Sequence, residues 1–219
     1  MNPFLKAGIL TVVVVAMALL VVAQLDSLRT QELRTSIDSV VFENQARDVL
    51  QHYGRVMAND TATQCKYLAQ VRQKQFDTTY PLALRIQDYE KNNLLGSEYE
   101  SLKTEYYLGT ADIYISGFEQ KETCGGNEVP LLMFYTEKTQ CPDCRAQNLI
   151  LPDIATRCSN VRILALPSDY NLTPLEVLAD RYNISTVPAI VINDSQKLVG
   201  LTSEDDLVKA LRAQGANCS

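Results

Sequence analysis

Residues 136–158, TEKTQCPDCRAQNLILPDIATRC, carry three of the chain's six cysteines, and two of these, Cys141 and Cys144, enclose only Pro142 and Asp143. A C-x-x-C pair serves as a redox centre, as half of a metal site or as a structural disulfide. The surroundings narrow the choice. LLMFYT, just upstream, is an apolar run bounded by turn residues, the mark of a buried strand. The cysteines then open a helical pattern running to about Arg157. A cysteine at a helix N-terminus faces unpaired N–H groups and the positive end of the dipole, which favour its thiolate. Cys141 stands there, with Pro142 preset for the first turn and Cys144 one turn on, within reach but less exposed. Zinc would require a second ligand pair, and the chain has one histidine, His52, and no other C-x-x-C, so no metal is expected. Copper delivery would want a histidine ligand too. Redox chemistry is the expectation, with Cys141 attacking and Cys144 resolving.

Working outward, VRILALP and VPAIVIN read as further strands and TPLEVLADRY as a helix. Asn193-Asp194-Ser195 makes a hairpin turn into QKLVG, and SEDDLVKALRAQ closes as a helix capped by Ser203. From the linker CGGNEVP onward, residues 124–219, the order is β-α-β-α-β-β-α.

Upstream the pattern is helical. Leu33 to Met57 repeats at three- and four-residue steps, and NDTAT at 59–63 stops that helix and caps the next. Pro81 is expected to open a third helix ended by Gly96, and Ser97 with Glu100 to form a capping box for a fourth. Residues 26–123 thus read as an all-α bundle or spacer, its many tyrosines serving as packing. Residues 7–23, AGILTVVVVAMALLVVA, are uncharged and almost wholly apolar. With residues 1–25 they are expected to form a retained signal anchor, a transmembrane helix. Small residues at 21–23 leave a cleaved secreted form as the alternative. Lys6 on one side and Arg29 and Arg34 on the other do not fix the orientation. The net charge of −6, with no Lys/Arg run, argues against nucleic-acid binding.

Residues 128–219 resemble the thioredoxin superfamily. The likeness lies in Cys-Pro-Asp-Cys at a strand-to-helix junction, in LADRYNISTVPAIVIN, and in the closing hairpin and helix. It implies an α/β thioredoxin-like domain preceded by the helical region and the membrane helix. It also implies a cis Pro188, with Val187 beside it offering its backbone to an extended substrate. It implies further that Cys158 and Cys218 are neighbours away from the Cys141–Cys144 pair and form a disulfide; the same reading pairs Cys65 with Cys124. Each would stabilise by roughly 4 kcal/mol in the chain-entropy treatment. Two departures stand out. Gln140 sits where many thioredoxins have tryptophan, and Met133, Phe134 and Tyr135 offer no buried acid. Asp143 opposes a thiolate at Cys141, so a couple less oxidising than the Cys-Pro-His-Cys of DsbA-like oxidants is expected.

Cysteines paired beside a membrane segment favour an oxidising compartment. Sequons at Asn59, Asn171, Asn183, Asn193 and Asn217 agree weakly. The expectation is a membrane-anchored, extracytoplasmic thiol–disulfide oxidoreductase. It would need no cofactor beyond its own disulfide, acting on protein thiols or disulfides with a membrane or soluble redox partner. A cytoplasm-facing reductase with free thiols, and a non-catalytic adaptor holding client segments beside Pro188, are the alternatives.

Overall fold

The computed structural model of the chain describes residues 15–17, 54 and 60–219. Two compact units divide it, Met1–Met57 and Ala58–Ser219. In the first, residues 15–17 are helical and exposed. The expected membrane span as a whole, the long helix ending near Met57, and His52 lie outside the described residues. Among the described residues no helix is long and apolar enough to cross a membrane.

The second unit runs α1 (Thr61–Lys91), α2 (Ser97–Cys124), β1 (Val129–Tyr135), α3 (Pro142–Arg157), β2 (Val161–Pro167), α4 (Thr173–Arg181), β3 (Ala189–Ile192), β4 (Gln196–Val199) and α5 (Glu204–Ala213). From β1 onward the order is the expected one. The sheet is ordered β2-β1-β3-β4, with β1 parallel to β2 and antiparallel to β3, and β4 antiparallel to β3. Asn193 and Asp194, both at positive φ, turn β3 into β4.

Side chains alternate across the sheet with the two-residue period of a strand. Leu131, Met133, Ile190 and Ile192 face one way and pack with Leu151 and Ile154 of α3 and Leu207 and Leu211 of α5. Leu132, Phe134, Ala189 and Val191 face the other way, onto Leu175 and Leu178 of α4 and Tyr107, Ala111 and Tyr114 of α2. The helical region from residue 60 therefore packs on the sheet through α2. Helix α2 is a layer of the sheet's own core, across the boundary expected at 124.

Two expectations for this region need correction. Pro81 opens no helix; it lies inside α1, which runs unbroken for 31 residues from its N-cap Asp60. An interior proline removes one backbone bond, here to the carbonyl of residue 77. Pro81 and Asp77 are both exposed, so water can take up that carbonyl. On the opposite side Leu68, Gln75, Thr79 and Leu82 are buried. Gln75 binds Asp112 at 2.7 Å and Ser116 at 2.9 Å, both on α2. Gly109 of α2 permits the close approach, since a Cβ there would lie 2.3 Å from Thr79 Oγ1. Packing along the whole helix outweighs the local penalty.

Ser97 is likewise no cap. Gly96 holds the N-cap of α2, with no side-chain cap bond. Nor does Gly96 end α1: Asn93, at φ 56, does so in a Schellman turn, with Leu94 N–H on Tyr89 O at 2.9 Å and Asn93 N–H on Glu90 O at 3.1 Å. At the other end of this helical hairpin Cys65 is bonded to Cys124.

Candidate active site

Cys141 is the N-cap of α3, and Pro142 occupies its first turn. The Cys141 sulfur accepts the Cys144 N–H at 3.1 Å, so a helix N–H already points at the atom that would carry charge. Cys141 and Cys144 are disulfide-bonded, Cys141 half-buried and Cys144 buried. Asp143 and Pro142 are exposed beside them. Gln147, three residues after Cys144 and fully buried, fixes the helix. Its amide accepts the Thr202 N–H at 2.8 Å and donates to Thr202 O at 3.3 Å, tying α3 to the segment before α5.

The cysteines open onto a cleft of about 550 Å³, lined by residues 136–140, Arg145 and Asn148, with Tyr135, Met133 and Ala165 beneath and Tyr106 of α2 at its wall. The loop from β1 to Cys141 is held from two sides. Asp169 accepts the N–H groups of Glu137 at 2.9 Å and Lys138 at 2.8 Å. Glu137 is ion-paired to Lys103 of α2 and accepts the hydroxyl of Tyr107, which also meets the Tyr135 hydroxyl at 3.1 Å. Lys103 lies over the rings of Tyr99 and Tyr170. Burial, then the neighbouring Tyr135 and Glu137, raise the Tyr107 phenol well above its usual range. Burial raises Tyr135 and Tyr106 in the same direction.

Of the residues singled out by sequence, Cys141, Pro142, Asp143 and Cys144 come together here. The Val187–Pro188 bond is cis. Val187 packs against the same core cluster as Cys141 but does not line the cleft. Its N–H and C=O have no hydrogen-bond partner among the described residues, while the Pro188 carbonyl accepts the Gly200 N–H at 2.8 Å. Cys158 and Cys218 are bonded to one another at the far end of α3, and Cys65–Cys124 lies at the open end of the hairpin. Among the described residues no cluster of His, Cys, Asp and Glu could hold a metal ion.

Sequence reading missed Tyr106, Tyr107, Lys103, Glu137 and Asp169. Their contacts join residues about thirty positions apart, and no local pattern marks such pairs. The absent strand acid drew attention to β1, whereas the carboxylate that enters the cleft stands two residues beyond that strand's end.

No protein-family model and no curated protein matches the sequence. Among solved structures, the chain is similar to oxidised thioredoxin from Plasmodium falciparum, at 17% identity over 41% of this chain and 84% of that one, with a TM-score of 0.34. It is also similar to the Malassezia sympodialis thioredoxin Mala s 13, at 21% identity over 45% of this chain and 88% of that one, also with a TM-score of 0.34. The sheet order β2-β1-β3-β4, a helix capped by the first cysteine of C-x-x-C, and a cis proline entering β3 give the chain from β1 to α5 a thioredoxin-like fold.

Proposed function

We propose that the chain is a thiol–disulfide oxidoreductase acting on protein disulfides through Cys141 and Cys144. One observation carries this: Cys141, half-buried, lines a cleft at the N-terminus of α3, with the Cys144 N–H directed at its sulfur. In the reducing direction the Cys141 thiolate attacks a substrate sulfur, and the other substrate sulfur leaves as a thiolate. Cys144 then loses its proton and attacks the Cys141 sulfur, releasing the second substrate thiol and closing the Cys141–Cys144 disulfide. Two electrons pass to the substrate, and the oxidising direction reverses each step. The backbone of Val187, with no partner among the described residues beside Pro188, suits an extended substrate segment.

We place the domain outside the cytoplasm, anchored by residues 7–23. The support is the apolar N-terminal segment and the bonding of Cys65 to Cys124 and Cys158 to Cys218. Non-reducing mass spectrometry of protein from its native membrane tests this: four free thiols would return the domain to the cytoplasm.

Equilibration of the full chain with glutathione, followed by alkylation, tests the activity. A potential near −270 mV, roughly that of thioredoxin, marks a reductase, and one at roughly −120 to −180 mV marks an oxidase or isomerase. A pair that does not titrate reversibly defeats the proposal. A non-catalytic adaptor would then lead, favoured by the free Val187 backbone, and would keep its client binding after Cys141→Ser.

A further inference from the structure

Charges around the cleft beside Cys141 do not cancel. Glu137 is the one carboxylate among its lining residues, and Lys103 already offsets it. Asp169 has both oxygens engaged by backbone N–H groups behind the loop. Lys138 and Arg145 line the cleft, are exposed, and form no ion pair with any described residue. Asp143 sits in the first turn of α3 but does not line the cleft. A chain of net charge −6 thus presents two unpaired cations next to its reacting sulfur. Pairing with Glu137 has been taken by a lysine from another helix, which leaves the loop's own cation, Lys138, available.

We infer that the cleft receives an acidic side chain flanking the reacting cysteine of an extended peptide substrate, with Lys138 and Arg145 as the specificity-determining residues. This rests on the oxidoreductase reading and names its substrate class. A cleft of about 550 Å³ has room for such a side chain beside Cys141, being of the size that holds a small ligand, roughly 300–1,000 Å³. Complementary charge placed this way acts mainly on association and partner choice.

The test uses the full chain carrying Cys144→Ser, with Cys141 loaded as a mixed disulfide with 2-thiopyridine. A peptide thiolate attacks the Cys141 sulfur, the bond to the pyridyl sulfur breaks, and 2-thiopyridone leaves and is read by absorbance. Peptides with one cysteine between two Glu, two Gln or two Lys are compared at equal thiolate concentration. At low salt the Glu peptide should react about tenfold faster than the Lys peptide, and the gap should close at about 1 M salt, where the Debye length is roughly 3 Å. In K138Q/R145Q, both sites being exposed and dispensable for packing, the gap should fall to about twofold or less. A flat or reversed series overturns the inference. So does a charge preference shown by 3-mercaptopropionate over cysteamine but absent from the peptides, since the source would then be a small anion. If wild-type Cys141–Cys144 fails to exchange with glutathione, the oxidoreductase reading itself falls. If it exchanges and only the charge series is flat, that reading stands and the acidic substrate alone is lost.

Discussion

Helix α3 carries a cysteine at each end, and the two are placed in opposite ways. Cys141 caps the N-terminus, half-buried, its sulfur receiving a helix N–H at the mouth of a cleft. Cys158 caps the C-terminus at 1% exposure, bonded to Cys218 and enclosed by backbone pairing, with Ser159 N–H on Asn217 O at 3.0 Å and the Arg157 guanidinium on Ser219 O. A helix C-terminus presents carbonyls and the negative end of the dipole, so it gives a thiolate no support. The covalent bond is the same at both ends. Access and the sign of the local field separate the pair proposed to exchange from the fastening one.

Removing each pair should therefore have opposite consequences, and this is the largest effect expected. Cys141→Ser should reduce catalysed reduction of a protein disulfide by at least about 10³-fold, because the thiol that remains at the cleft, Cys144, is buried, while the melting temperature hardly moves. Replacing Cys158 and Cys218 together by Ala should leave the exchange rate within about twofold but remove up to roughly 4 kcal/mol of stability. Exchange kinetics and urea unfolding of the two variants would check both halves. A Cys158/Cys218 variant that lost activity in proportion to Cys141→Ser would erase the distinction.

The polar anchors at the two ends contrast as well. Glu137 and Lys103 have side chains 21% and 9% exposed, against 37% and 36% for Glu204 and Arg157 at the other end. Glu137→Gln takes the close carboxylate from a buried ammonium, leaving it only Glu100 at 3.9 Å, and loosens the loop before Cys141, so a loss of about 2–3 kcal/mol is expected. Glu204→Gln at the solvated pair should cost below about 1 kcal/mol. Equilibrium denaturation measures both, and equal losses would mean that burial of the Lys103 pair does not matter.

Much of this contrast is legible in the sequence. Strands built of Leu131–Phe134 and Ile190–Ile192, buried on both faces, read as continuous apolar runs, and Cys-Pro-Asp-Cys and Ser203 mark helix starts by local chemistry. The anchoring was not legible. Pro81 signals a helix start locally, yet burial of Leu68, Thr79 and Leu82 on either side of it carries one helix through. Tyr106 and Tyr107 resemble the other tyrosines of α2 in sequence, and only the packing of that helix on the sheet brings them to the loop before Cys141. Local signals locate the cysteines proposed to react, while the residues that hold them depend on tertiary packing.

Alkali should reach the N-terminal side through Tyr107. Its pKa is raised in the folded state, chiefly by burial, so the neutral phenol is favoured there. That stability is fully present below the unfolded tyrosine pKa of about 10 and is lost as pH climbs toward the folded value, at up to about 1.4 kcal/mol per pH unit. Tyr107→Phe has no such proton to lose. Its stability, lower at neutral pH for want of the Glu137 and Tyr135 bonds, should decline less steeply than wild type above about pH 10. Parallel curves from denaturant titrations at stepped pH would show that Tyr107 titrates in the folded state as it does unfolded.

The smallest effect concerns Asp143, where two consequences of one charge oppose each other. An acidic side chain in the first turn of α3 suits the positive end of the helix, so Asp143→Asn should cost the fold roughly 0.3–1 kcal/mol. The same charge works against a thiolate two residues away at Cys141, so its removal should stabilise the reduced protein relative to the disulfide. The couple should become more oxidising by roughly 10–30 mV, the larger figure corresponding to about 1.4 kcal/mol. Reduced Cys141 should also react with an alkylating agent at lower pH. Asp153→Asn, on the exposed side of the same helix and nearer its C-terminal end, should change neither property. Glutathione equilibria of both variants decide the matter. An unchanged potential in Asp143→Asn would mean that the Cys144 N–H and the helix terminus alone set the thiolate's stability at Cys141.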